Sequence, residues 1–265
     1  MKKVLGRKQV SRNADWLAAM QHIEELISQD EVDAFEDAAV ERIIKATAGK
    51  SAAYAWSAGK DSIVLGKLCE KAGVKDCFFG HCELEFPEYL SWALENAPAG
   101  CEVINTGLNL EWLEKHPELL FVNDAKRLNI WYGLLQRRTF TTYFEEHGTE
   151  LLLVGHRVID GNTCGKDYTI RKKSGETRYA AIADWPHEAV LGYIHYHGLA
   201  LPPTYQWENG WVYGPTPWPI WGEPVTVEDG FKLIFSLSPE VVRDAAEVIL
   251  SLIHISEPTR LGMIS

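Results

Sequence analysis

Ser57-Ala58-Gly59-Lys60-Asp61-Ser62 follows the apolar run Ala52-Ala53-Tyr54-Ala55-Trp56 and precedes Ile63-Val64-Leu65-Gly66-Lys67-Leu68. The order reads as a strand, a tight turn and the start of a helix. Backbone N–H groups in the first turn of a helix lack intrahelical partners and converge at its partial positive end, so such a junction accepts an anion. Gly59 lets the backbone approach closely, and the Ser57 and Ser62 hydroxyls both donate and accept. The stretch therefore reads as a phosphate loop. It is not a Walker A loop, which requires a glycine five residues before Gly59, where Tyr54 stands, and Ser or Thr after Lys60, where Asp61 stands. The competing reading is an ordinary helix N-cap supplied by Ser57 or Asp61.

Outward from the loop, strands are read near 52–57, 76–82, 101–106, 150–156 and 178–183, with helical stretches between them. Apolar strands separated by helices of about ten or more residues imply parallel pairing with right-handed crossovers. The expected fold is α/β and doubly wound: a mainly parallel five-stranded sheet with helices on both faces. In such sheets ligands sit beyond the carboxyl ends of the strands. The loop lies at that edge, as do His81-Cys82-Glu83-Leu84-Glu85-Phe86-Pro87-Glu88 and Gly155-His156-Arg157-Val158-Ile159-Asp160. A guanidinium such as that of Arg157 binds phosphate oxygens as a fork.

The hexapeptide resembles the SGGxDS signature of the PP-loop ATP pyrophosphatases, with Ala58 in place of the middle glycine. Residues 81–88 resemble the DTGxxFPE segment of phosphoadenosine phosphosulfate (PAPS) reductases, and residues 155–160 resemble their GxRxxD turn. Ile182-Ala183-Asp184-Trp185, Val190 to Tyr193, and His197 to Tyr205 with Leu201-Pro202-Pro203 resemble the pattern I-x-D-W, V-x-x-Y-I, H-x-L-P-x-x-P-x-Y. All occur in the family's order over about residues 50–207, and the chain is identified as a member of the PAPS reductase-like group.

That resemblance implies an adenine nucleotide alpha-hydrolase-like fold and an adenine nucleotide ligand: ATP, or PAPS or adenosine phosphosulfate. In the ATP-using branch, pyrophosphate would sit in the loop with Mg²⁺ offsetting its charge, and an acceptor oxygen would attack the α-phosphate. The resemblance assigns Ser57, Ala58, Gly59, Lys60, Ser62 and Arg157 to the phosphates, and Asp61 to loop shape or metal. Lys60, Asp61, Arg157 and Asp160 form the expected catalytic set, with Asp160 holding the loop of Arg157. Glu88 is assigned near the acceptor. His81 stands where the family pattern has an acidic residue, and His195 and His197 read as structural. Neither the metal ligands nor the acceptor can be read from the sequence.

Composition fits this frame. The chain has 265 residues, 46% of them hydrophobic, enough for one substantial α/β core. No run of about eighteen apolar residues occurs, and Met1-Lys2-Lys3 leads into polar sequence, so a cytoplasmic protein is expected. Cys69, Cys77, Cys82, Cys101 and Cys164 contain no CxxC pair, so reduced thiols are expected, with no disulfide framework and no iron–sulfur cluster. A net charge of −11 opposes broad attraction to nucleic acid or anionic membranes. Against it, Arg137, Arg138, Arg157, Lys166, Arg171, Lys172, Lys173 and Arg178 gather basic groups in a short part of the chain. The lysines read equally well as a solvated loop.

Four regions are expected: an N-terminal helical extension (1–48), the nucleotide-binding domain (49–207), a Trp/Pro-rich loop with two helices (208–249), and a non-native tail (250–265). Helical spacing is evident from Asp15 to Ile27 and from Val32 to Ala46, and Ala125 to His147 reads as one long helix. The segment with Trp207, Trp211, Trp218 and Trp221 reads as a lid, a docking surface or a loop tucked on the core. Leu250 to Arg260 coincides with an in-frame translation of a common transposon sequencing adapter, so the biological chain is expected to be readable only to about Ile249.

Three functional readings follow. An ATP pyrophosphatase or adenylylating enzyme releases pyrophosphate. A sulfonucleotide reductase resembles its relatives in a nucleophilic cysteine within a C-terminal ECGxH tail, and no cysteine follows Cys164. A non-catalytic nucleotide-binding subunit of an assembly acting on nucleic acid would bind without turnover. A homo-oligomer or an assembly partner is compatible with all three.

Overall fold

A computed structural model of the chain describes residues 5–6, 11–172 and 175–249. The tail reading at 250–265 lies outside the described residues, as does Lys173. Helices α1 (Asn13–Gln21), α2 (Ile23–Leu26) and α3 (Gln29–Thr47) come first. Their sequence explains the break between α2 and α3. Ser28 accepts from the Glu31 N–H (3.3 Å), while the Glu31 carboxylate accepts from the Ser28 N–H (2.9 Å), a reciprocal cap that starts a new helix. On α3, Val32, Ala39 and Ile43 are buried at helical spacing.

The αβ alternation then runs β1 (Ala52–Ala55), α4 (Lys60–Lys71), β2 (Asp76–His81), α5 (Pro87–Asn96), β3 (Glu102–Asn105), α6 (Leu110–Glu114) and α7 (Ala125–Tyr132). After a π turn (Gly133–Arg137) come α8 (Arg138–His147), β4 (Leu151–Leu153), β5 (Thr169–Arg171), β6 (Thr177–Tyr179) and α9 (His187–Tyr196). Last are α10 (Gly210–Tyr213), α11 (Val227–Leu237) and α12 (Pro239–Val248).

Among the described residues the strands form one six-stranded sheet in the order β3-β2-β1-β4-β6-β5. All pairs are parallel except β5 with β6, where Ile170 faces Arg178. The chain winds outward from β1 to β3 and then returns to the other side at β4. The switch between β1 and β4 therefore opens a crevice at their carboxyl ends. The structure adds β5 to the five strands expected. Its three residues sit in a basic stretch with no apolar run, and only pairing with β6 makes them a strand.

Both faces of the sheet are covered. Tyr54, Phe79, Leu151 and Leu153 point to the larger core, which includes residues of α3, α4 and α9, while Ala53, Phe78 and Leu152 point to a smaller core under α8. Phe78 lies edge-on to Phe140 (5.2 Å) and flat on Tyr143 (4.3 Å). Burying a side chain of that size contributes about 1.5–3 kcal/mol. Gly80 on β2 has no room for a side chain: a methyl there would overlap Thr139 of α8. The stretch read as one long helix is two helices with the π turn between them. Residues on both sides of the boundaries read at 48 and 207 share the larger core, from Trp16 and Val32 to Trp221 and Val242.

Candidate active site

The loop between β1 and α4 is held by its own serines. The Ser62 hydroxyl donates to the Gly59 carbonyl (2.9 Å) and accepts from the Ser57 N–H (3.0 Å) and the Ser57 hydroxyl (3.2 Å). Ser62 thus fixes the turn, and Ser57 is the exposed hydroxyl. Ala58 is buried with φ +50°, a left-handed conformation that favours glycine. Two tyrosines brace the loop from elsewhere. Tyr89 of α5 donates to the Ser57 carbonyl (2.8 Å), and the Tyr205 oxygen accepts from the Lys60 N–H (3.0 Å). The backbone N–H groups of Ala58, Gly59 and Ser62 have no acceptor among the described residues. Three donors at a helix start point to an anion.

Beneath the loop lies a chain of alternating charges. Lys60 Nζ meets Asp61 Oδ2 (2.6 Å), Asp61 Oδ1 meets Arg157 Nε (2.8 Å), and Arg157 Nη2 meets Asp160 Oδ2 (2.9 Å). Arg157 is 0% exposed, and it also donates to His187 Nδ1 (3.0 Å) and the Trp185 carbonyl (3.5 Å). One guanidinium thus ties α4, the turn after β4 and the start of α9. The close approach of that turn requires Gly155, where a Cβ would lie 3.1 Å from the Asp61 carbonyl. Burial first, then the Arg157 and Lys60 charges, push His187 down to about 3, so its ring is neutral and accepts from Arg157. Lys60 is 3% exposed, with its ammonium 5.4 Å from the centre of the Trp16 ring.

The four residues expected as catalytic are therefore brought together, with Lys60 and Arg157 committed to carboxylates rather than turned to solvent. Glu88 stands in the first turn of α5 and is half-buried, with its Oε2 buried and without a hydrogen-bond partner among the described residues. His81 ends β2, and burial lowers its pKa. His195 pairs with Glu24 (2.9 Å) and His197 with Glu36 (3.0 Å), joining α9 and the residue after it to α2 and α3.

Sequence reasoning missed Tyr89, Tyr205 and Trp16 at the loop. Tyr205 closed a motif, but its partner is a backbone N–H 145 positions away, which no local pattern signals. The Trp/Pro-rich segment packs on the core and over the loop. Trp218 N–H donates to the Leu84 carbonyl (3.1 Å), Trp211 N–H to Asn13 Oδ1 (3.0 Å), and Trp16 stacks on Trp211 (6.0 Å). Pro215 sits so close that a Cβ on Gly59 would lie 3.2 Å from it.

Among the described residues, the group with ligand atoms close enough to hold a metal is Glu102, Glu146 and His147, within 4.8 Å of one another. Glu102 begins β3, so this group lies at the amino end of the sheet, away from the loop. Cys82 donates to Glu85 Oε1 (3.8 Å); burial holds the thiol well above its ordinary pKa and pushes Glu85 up to about 8. No helix among the described residues is long and apolar enough to cross a membrane.

Residues 51–209 match the family model of the phosphoadenosine phosphosulfate reductase domain. Among solved structures the chain is similar to phosphoadenylyl-sulfate (PAPS) reductase from Candida auris in its phosphate complex. The TM-score is 0.50 at 17% identity, over 66% of this chain and 90% of that one, a likeness of fold. The U34-tRNA thiolase NcsA from Methanococcus maripaludis, solved with its 4Fe-4S cluster, aligns with a TM-score of 0.42 at 14% identity, over 85% of this chain and 81% of that one. No curated protein matches.

Proposed function

The chain belongs to the phosphoadenosine phosphosulfate reductase domain family, and from that premise we propose that it is an enzyme acting at the α-phosphate of ATP. An acceptor oxygen forms a bond to the α-phosphorus, the bond from that phosphorus to the oxygen leading to the β-phosphate breaks, and pyrophosphate leaves. The acceptor's proton passes to a base or to water. One observation carries the reading: the Ala58, Gly59 and Ser62 N–H groups at the start of α4 have no acceptor among the described residues. Donors fixed in advance cost no reorganisation when charge develops on a leaving group.

The geometry supports the following roles. Ser57, Ala58, Gly59 and Ser62 supply the phosphate cradle, with Ser62 acting through its N–H because its hydroxyl proton is on Gly59. Lys60 and Arg157 hold the loop from below through Asp61, and Asp160 holds Arg157. Glu88 is assigned to the acceptor side. Both Asp61 oxygens are ion-paired, so Asp61 shapes the loop and does not fit the alternative of a metal ligand. Bound Mg²⁺ would offset pyrophosphate charge, held through the phosphates and water as that ion usually is. A thiolate mechanism finds no support beside the loop, because Cys82 is buried and its pKa is raised.

The test is ATP titration by calorimetry with a pyrophosphate-release assay. Ser57→Ala should weaken ATP binding by about 1.5–3 kcal/mol, the worth of a hydrogen bond to a charged group. Equal affinity of variant and wild type would remove Ser57 from the cradle. ATP binding with no pyrophosphate formed in the presence of nucleophilic acceptors would refute the reaction.

A further inference from the structure

Two cysteines that are distant in sequence become neighbours in the sheet. Tyr54 on β1 is the register partner of Cys77 on β2, and the next residue of β2, Phe78, is paired with Glu102 of β3. Cys77 and Cys101 each stand one residue before that pair, so the parallel register sets them side by side. Paired strands run about 4.8 Å apart, within the span of about 4.4–6.8 Å between the Cα atoms of a disulfide. The two side chains share a face: Cys77 belongs to the larger core with Tyr54, and Cys101 packs against that core. The next rung faces the other way, with Phe78 in the smaller core and Glu102 paired to His147 of α8. All five cysteines are free thiols. Access differs within the pair. Cys77 is 2% exposed, whereas Cys101 is half-buried in the turn before β3, its N–H donating to the Pro98 carbonyl (3.0 Å).

We propose that Cys77 and Cys101 are a dithiol modification site, which a low-molecular-weight disulfide oxidises to an intramolecular disulfide between β2 and the entry to β3. The Cys101 thiolate attacks one sulfur of the oxidant, forming a mixed disulfide and releasing one thiol. The Cys77 thiolate then attacks the Cys101 sulfur, forming the Cys77–Cys101 bond and releasing the second thiol. The cysteines give up two electrons and two protons, and the oxidant becomes two thiols. Burial sets this order: the half-exposed sulfur admits a bulky oxidant, and the buried one, fixed beside it, resolves the adduct. A hydrogen bond between the thiols helps. It holds Cys77 below its ordinary pKa and pushes Cys101 above its own, so the pair loses one proton readily and the second with difficulty. Cys69 of α4 belongs to the same core, but the three sulfurs do not gather closely enough for a metal, a spacing met among the described residues by Glu102, Glu146 and His147. The new bond closes a ring over β2, residues 81–88 and α5, which clamps the segment that carries Glu88 and Tyr89.

Nothing in this chemistry depends on a bound nucleotide. The test is a titration of the full chain with glutathione disulfide, followed by proteolysis and mass spectrometry, in a Cys164→Ser background that removes the other half-buried thiol. The expected product is a linked pair of peptides carrying Cys77 and Cys101, with about two thiols lost per chain and both restored by dithiothreitol. Circular dichroism recorded alongside should show the fold retained as the link forms. Adding Cys101→Ser should abolish both the link and the uptake of glutathione. Adding Cys77→Ala, or Cys77→Ser where alanine does not fold, should stop the reaction at a glutathione adduct on Cys101. The peptide map of the background chain decides the matter without either variant. A folded chain that yields no link, a link from Cys101 to any other cysteine or to a second chain, or a reaction that stops at the Cys101 adduct with Cys77 present overturns the proposal. So does a link that forms only as the chain unfolds.

Discussion

Arg157 shows how far a residue's sequence context and its structural task can differ. Its GxRxxD turn suggested a fork on phosphate, yet the guanidinium is buried between Asp61, Asp160 and His187. Removing it leaves Asp160 without the cation that pairs it, and Asp61 with Lys60 alone. Arg157→Ala should therefore cost about 3–5 kcal/mol in urea denaturation, and a loss below about 1 kcal/mol would place the side chain in solvent. Two titrations have opposite signs. His187, about 3 in the fold against 6.5 ordinarily, is protonated more readily in the unfolded chain, so its contribution is full above about pH 6.5 and is lost as pH falls toward 3. Glu85, about 8 in the fold against 4.5, holds its proton longer when folded, so its contribution is full below about pH 4.5 and is lost as pH rises toward 8. Glu85→Gln should flatten the alkaline side of the stability profile, and an unchanged slope would show that the carboxyl is solvated. At Ala58, with φ +50°, glycine removes strain worth about 1–2 kcal/mol and adds about 0.4–1 kcal/mol of unfolded-chain entropy, so Ala58→Gly should be neutral to slightly stabilising. A clear loss on thermal melting would contradict the left-handed turn.

At the scale of elements, the parallel strands were legible because each is an apolar run between helices, and the loop was legible because it joins one such run to a helix start. What escaped depends on contacts distant in sequence. β5 exists through its pairing with β6, and the π turn interrupts a hydrophobic pattern that continues through it unbroken. The braces on the loop were also hidden: Tyr89 and Tyr205 are motif neighbours whose hydroxyls reach backbone atoms on another element. Tyr205→Phe leaves the Lys60 N–H without that partner and should cost about 1–3 kcal/mol of stability by chemical denaturation. No measurable change would show that the Trp/Pro-rich segment merely lies over the loop.

For the molecule as a whole, topology places the site. The return of the chain from β3 to β4 opens the crevice at the carboxyl ends of β1 and β4, and the loop, Arg157 and His156 come from those two strand ends. The N-terminal helices and the Trp/Pro-rich segment meet there through Trp16 and Trp211. The proposed phosphate cradle therefore sits on a floor of paired charges inside an acidic protein. The proposed function requires that the Ala58, Gly59 and Ser62 amides receive nucleotide phosphates. Its most direct test is an amide-resolved ¹⁵N NMR titration of the full chain with Mg²⁺-ATP. Those three resonances should shift together and saturate at the calorimetric Kd. ATP binding that leaves them unmoved while other amides respond would contradict it.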